Sequence, residues 1–207
     1  MKYRWVVGGG FCMEQVFGSW TRTFPQEHVQ KIELLPNDDY AFDLSALDML
    51  DPSEGVMFVG FDERFGNFKR MELMQLMMER GFKLESFVSP SAIIPPDTTI
   101  GPNAFLGEAV ILGAGSRIDF NAVVRDGAKL GAGVHLRPSC WLETGVLIGD
   151  GAEIGAHSIL RIGALVGPRV RIGKHCELGW PRLYDKDVPA RTVFDSRYEE
   201  PIHIYGD

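Results

Sequence analysis

The sequence predicts a mainly β protein: a left-handed parallel β-helix of six-residue turns, preceded by a small Rossmann-like α/β domain. Three observations predict it. An aliphatic residue recurs at every sixth position from Val88 to Leu178, each one but the last is followed four positions later by a small or β-branched residue, and the first 86 residues carry a different, strand-and-helix pattern.

The aliphatic register begins Val88, Ile94, Ile100 and ends Val166, Ile172, Leu178, sixteen positions without an insertion. The small register runs from Ala92 and Thr98 to Val170 and Cys176. A chain that folds inward every six residues needs an aliphatic wedge and a small residue at the crowded inner corner. Neither the helical period of 3.6 nor plain strand alternation produces this pattern. Glycine directly follows the aliphatic at Gly101, Gly107, Gly113, Gly131, Gly149, Gly155, Gly167, Gly173 and Gly179, where it reads as permissive backbone at the turn. Three hexads close one triangular coil, so residues 18 apart stack at the strand spacing of roughly 4.8 Å, and the run amounts to about five coils.

The stacking places outward residues in columns. One column is Phe105, Val123, Trp141, Ile159; a second is Ile111, Lys129, Leu147, Leu165; the third is Thr99, Arg117, His135, Glu153, Arg171. The first two are largely apolar, and such a patch on a monomer is unusually large. A closed three-fold interface would bury it, or a loop or the C-terminal tail would cover it. The third column puts Glu153 beside His135, either as a dyad in which the carboxylate orients the ring or as a surface charge ladder. His157 and His175 are also 18 apart and are expected to stack. Two histidines are too few for a zinc site, and no metal is expected.

The N-terminal segment reads strand (Tyr3 to Val7), glycine loop (Gly8, Gly9, Gly10), helix start (Phe11 to Phe17), strand (Gly55 to Gly60) and amphipathic helix (Phe68 to Arg80) with Gly81 as its stop. A glycine loop after a first strand lets phosphates approach helix-start amides, although a plain tight turn reads equally well. The domains expected are 1–86 (α/β), 87–182 (β-helix) and 183–207 (a tail that packs back on the coils or reaches a neighbour).

Composition narrows the classes. The 207 residues are 45% hydrophobic and carry a formal charge of −7, which gives no footing for nucleic acid. No apolar run suits a membrane helix, and the first residues lack a signal-peptide pattern, so a cytoplasmic protein is expected. The three cysteines, Cys12, Cys140 and Cys176, form no Cys-x-x-Cys pair; Cys140 and Cys176 fall in the small inner register and read as core filler.

The segment Phe82 with Phe87 to Ile94 (F-V-S-P-S-A-I-I), the hexads, and Lys186 to Val193 (K-D-V-P-A-R-T-V) together resemble the hexapeptide-repeat sugar O/N-acetyltransferases, of the sialic-acid O-acetyltransferase and UDP-amino-sugar N-acetyltransferase types. The resemblance spans nearly the whole chain. It implies an acetyl-CoA-dependent acyl transfer to an amino or hydroxyl group of a sugar or nucleotide-sugar, and a homotrimer with acetyl-CoA between adjacent β-helices. Carried over to this chain, it puts the donor near Gly155, Gly173, Lys174, Gly179 and Trp180, and the nucleotide of the acceptor near Gly8, Gly9, Gly10 and Asp62.

The family's general base is a histidine in a V-x-H-D segment, followed nine residues later by a second in V-H-I-x-P. Here the first segment is Val123-Val124-Arg125-Asp126-Gly127-Ala128, so Asp126 stands in place of the base. The second is kept, as Val134-His135-Leu136-Arg137-Pro138. The catalytic candidates are therefore His135, Asp126 and Glu153. A carboxylate serves as base only with a raised pKa, whereas a histidine suits neutral pH unaided. The alternative is a catalytically silent trimeric homologue serving as a scaffold or binding module. The glycine loop also departs, with Phe11 beside Gly10, and Trp180 either stacks on an adenine or caps the open end of the β-helix.

Overall fold

The structure, a computed structural model, describes residues 2–63 and 67–205. The chain forms two compact units, Met1–Phe87 and Val88–Asp207.

In the first unit, β1 (Tyr3–Gly9) lies between β2 (His28–Glu33) and β3 (Gly55–Phe61) in a parallel sheet. Helix α1 (Gly10–Thr23) makes the crossover from β1 to β2, and α2 (Phe68–Glu79) follows β3. β1 and β3 read as apolar runs because nearly all of their residues are buried. β2 went unread in the sequence: it is an edge strand, His-Val-Gln-Lys-Ile-Glu, with only Val29 and Ile32 partly covered. Trp5, Val7, Met57, Val59, Leu73, Met74 and Met77 make the core.

The second unit is a stack of three-sided coils. From Thr99 to Tyr184 its strands are two residues long and pair in parallel with those 18 residues away. The three columns foreseen appear in register: Phe105–Val123–Trp141–Ile159, Ile111–Lys129–Leu147–Leu165 and Thr99–Arg117–His135–Glu153–Arg171. The aliphatic and small registers together fill the interior, with Cys140 and Cys176 among them as free thiols.

The pairing continues past residue 182 into the segment expected to be a tail. Leu183–Tyr184 pairs with Leu165–Val166, and Thr192–Phe194 with Glu177–Leu178. Tyr184 takes the place of an aliphatic six residues after Leu178, and Phe194 stacks on Leu178 only sixteen residues later, so the last coil is two residues short. Aromatic wedges and a shortened corner hide it from a six-residue count. Ile202–His203 then pairs antiparallel with the Thr192–Phe194 strand.

The glycines that follow the aliphatics have a different cause from the one expected. None has a positive φ. A Cβ at Gly101 would lie 2.5 Å from the Phe120 amide nitrogen of the next coil, and one at Gly155 as close to the Gly173 carbonyl carbon. The constraint is coil-to-coil contact. Left-handed backbone falls two residues later, at the corners. Two corners use mostly glycine there; the third uses Asn103, Asn121, Ser139, His157 and His175, with φ of 56, 58, 59, 60 and 58°. Asparagine tolerates this conformation best among residues with side chains. Its amide also builds a ladder: Asn103 Nδ2 donates to Asn121 Oδ1 at 2.9 Å, and Asn121 Nδ2 to Ser139 Oγ at 2.9 Å. Above them His157 and His175 stack, ring centroids 5.2 Å apart.

The apolar columns are not equally exposed. Phe105, Val123, Trp141 and Ile159 are already buried within the chain, which corrects the expectation that this column lies open on the monomer. On the second face Leu147, Leu165 and Leu183 remain 40, 36 and 58% exposed. Among the described residues no helix is long and apolar enough to cross a membrane.

Replacing Asn121 with alanine leaves two buried partners unsatisfied and puts a Cβ without amide compensation into left-handed backbone. The expected cost is about 2–4 kcal/mol in chemical unfolding, with Asn121→Gly milder by about 1 kcal/mol.

Candidate functional site

The outward residues of the third face sit at two positions per strand, one before the inward aliphatic and one after it. His135 precedes Leu136, and Asp119 follows Ile118 one coil below. The offset brings their side chains together: His135 Nε2 lies 2.9 Å from Asp119 Oδ2, with 19 and 14% of the two side chains exposed. Arg117 Nε donates to the other Asp119 oxygen at 2.9 Å. One coil higher the same diagonal joins Arg137 Nε to Glu153 Oε1 at 2.6 Å. Glu153 is thus a backbone neighbour of His135 but pairs with Arg137, and the carboxylate on the histidine is Asp119. The dyad of His135 with Glu153 is corrected on this point. Strand register brings residues 18 apart together in the backbone, whereas long side chains lean to the partner 16 away.

An ionised carboxylate only accepts hydrogen bonds, so in the neutral imidazole Nε2–H donates to Asp119 and Nδ1 keeps its lone pair. This is the tautomer a general base needs, held in a half-buried position.

Above the dyad on the same face is a groove of about 670 Å³ lined by Arg137, Glu153, Gly155, Arg171, Gly173 and Lys174. Three of the five residues expected near the donor are here: Gly155, Gly173 and Lys174. Glu153 is taken by Arg137, and Asp187 accepts from the Arg171 amide at 2.8 Å. Arg171 and Lys174 are exposed and bring positive charge to the rim.

Gly179 and Trp180 lie elsewhere, at the end of the stack. Trp180 packs on the β-helix core and edge-on to Phe194 at 5.1 Å. The Arg182 guanidinium covers its ring at 4.5 Å, and its amide and carbonyl bond to the Tyr184 hydroxyl. The geometry is that of an end cap. Burial pushes the Tyr184 phenol above its ordinary pKa, so the hydroxyl in this cap stays protonated.

Asp126 sits at the corner between the first and second faces, away from His135. Its Oδ1 accepts from the Glu108 amide at 2.8 Å. Asp150 does the same to the Ala132 amide, also at 2.8 Å. In both cases the glycine beneath, Gly107 or Gly131, leaves space that a Cβ would deny the carboxylate. Asp126 thus has the same coil-joining role as Asp150, four corners later.

In the first unit, Asp62 closes the start of α1. Its Oδ2 accepts from the Phe11 amide at 3.2 Å and its Oδ1 from the Cys12 amide at 2.9 Å. Gly10, with φ 76°, passes where any Cβ would strike this carboxylate. The helix start that read as a phosphate seat is already met by a negative charge, and Phe11 stands 61% exposed beside it.

Asp119 and Arg117 were missed as site residues. Arg117 stands in the column itself, whereas Asp119 belongs to the second outward position of its strand, which the column of first positions does not contain.

The sequence matches no protein-family model and no curated protein. Solved structures do match it. PerB from Caulobacter crescentus, in complex with CoA and GDP-perosamine, is 25% identical over 93% of each chain with a TM-score of 0.81. A variant of perosamine N-acetyltransferase from the same organism, with one histidine replaced by asparagine and the same two ligands, is 27% identical over 93% of each chain, TM-score 0.61. The acetyltransferase domain of PglB from Neisseria gonorrhoeae, with acetyl coenzyme A, shares the fold at 20% identity over 98% of this chain and 100% of that one, TM-score 0.51. The stacked coils are accordingly the left-handed β-helix of acetyltransferases.

Two substitutions separate the roles open to Asp126. Asp126→Asn keeps an acceptor oxygen and should leave acetyl transfer within about threefold of the parent, whereas loss of a needed base costs about 10²–10⁴. Asp126→Ala and Asp150→Ala should each lower unfolding stability by about 1 kcal/mol. An inactive but stable Asn variant would make Asp126 the base.

Proposed function

We propose that this chain, which shares its fold with solved sugar N-acetyltransferases, is an acetyl-CoA-dependent transferase that acetylates an amino group of a nucleotide-linked sugar. The observation that carries the reading is the His135–Asp119 pair lying on the same β-helix face as a groove rimmed by Arg171 and Lys174.

The groove fits the donor in size and charge. A cleft of this volume suits a nucleotide-sized ligand. The two cations meet phosphate, and Gly155 and Gly173 lack the side chains that would stand between a ligand and the backbone. With the phosphates high on the face, the thioester end reaches down toward His135.

His135 Nδ1 takes a proton from the acceptor nitrogen as that nitrogen attacks the thioester carbonyl carbon. The carbon–sulfur bond breaks, and the imidazolium returns the proton to the departing thiolate. Asp119 orients the ring and stabilises the imidazolium, and Arg117 holds Asp119 in place. The working unit is a homotrimer that buries the face carrying Leu147, Leu165 and Leu183, whose exposure supports this assignment.

Calorimetry with acetyl-CoA and light scattering on the same sample test the reading: micromolar binding by a trimer is expected. Absence of binding at millimolar ligand would leave the fold as a scaffold. With GDP- and UDP-linked amino sugars as acceptors, His135→Ala should lower kcat by about 10²–10⁴ while acetyl-CoA still binds. Lys174→Ala and Arg171→Ala should weaken acetyl-CoA instead, and full activity of His135→Ala would remove the base from this assignment. Leu165→Glu should shift the trimer to monomer in light scattering.

A further inference from the structure

We propose that the His157–His175 stack makes the groove acid-sensitive: a proton taken up by the stacked imidazoles drives apart the two turns that border the groove, and stability and ligand affinity fall together. The ligand half of this inference rests on the donor reading above; the stability half does not.

The two imidazoles belong to the turns Gly155-Ala156-His157-Ser158 and Gly173-Lys174-His175-Cys176. Gly155, Ala156, Gly173 and Lys174 of these same turns line the groove. The rings are stacked at 5.2 Å and 15°. Both residues are held in left-handed backbone by the corner geometry, with φ of 60 and 58°. The turns are also bonded to each other. The His175 amide donates to the Ala156 carbonyl at 2.9 Å, and Ser158 Oγ donates to the Gly173 carbonyl at 2.8 Å and accepts from the Cys176 amide at 3.1 Å. A change in the separation of the rings is therefore a change in the groove wall.

Lys174 on its own turn and Arg191 on the coil above both bring positive charge to His175. Burial first, then Lys174, then Arg191, holds the His175 imidazole below its ordinary histidine pKa. A depressed folded-state value means the stabilisation is complete above the unfolded value, near 6.5, and is lost as pH falls below it. Two imidazolium rings at this distance also repel each other.

Asn103 and Asn121 occupy the same corner two and more coils below, so asparagine suits this backbone. The test compares wild type, His175→Asn and His157→Asn without ligand, by thermal unfolding at pH 7.5 and 5.5. The wild-type midpoint should fall by about 4–8 °C more than that of either variant. Affinity for acetyl-CoA should weaken about tenfold over the same interval in wild type and by no more than about threefold in the variants. Parallel pH profiles in all three proteins would overturn the inference. If acetyl-CoA binds at neither pH the donor reading falls, and the unfolding midpoints alone decide the acid sensitivity.

Discussion

Each coil of the β-helix is joined to the next by backbone hydrogen bonds along all three faces, which holds successive coils about 4.8 Å apart, and the other features of the unit answer to that spacing. Inward positions are filled by one aliphatic and one small residue per face because a larger pair has no room. Glycine follows the aliphatic wherever the coil above passes too close for a Cβ, as at Gly101 and Gly155. Asp126 and Asp150 use the same closeness to bond an amide of the coil below.

The spacing also decides how chemistry is placed on the surface. Side chains one coil apart are within bonding reach, so any column becomes a ladder. The buried corner ladder of Asn103, Asn121 and Ser139 is uncharged and satisfied. The outer face carries both cations and carboxylates, yet its bonds do not follow the column: His135 on Asp119 and Arg137 on Glu153 run diagonally between coils, and Arg117 on Asp119 runs along one strand. A shift of two residues along the strand decides which carboxylate orients the histidine. Proximity in register and partnership in bonding are separate matters.

The small unit obeys a looser rule. Strands β1 and β3 are legible because burial makes them apolar throughout, as in Val56 to Val59. Its edge strand β2 is not, since only two of its six residues are partly covered. The glycine loop was legible as a turn into a helix, but its ligand chemistry was not. Asp62 arrives from the end of β3, fifty residues away, and puts a carboxylate where the loop alone suggests an anion.

Sequence alone determined the β-helix, its register and its columns, because an eighteen-residue repeat leaves one way to bury every aliphatic at once. It also singled out His135 as the histidine on an outward column, while Gly155, Gly173 and Lys174 came from the family resemblance as residues near the donor. The tertiary structure decided what those residues touch. It assigned Asp119 to His135, gave Asp126 to a backbone amide, turned Trp180 into an end cap, and covered the Phe105–Ile159 column within the chain. Periodicity specifies backbone position to one residue. Rotamer, lean and the covering of a face depend on side chains from other coils and segments, which no local pattern contains.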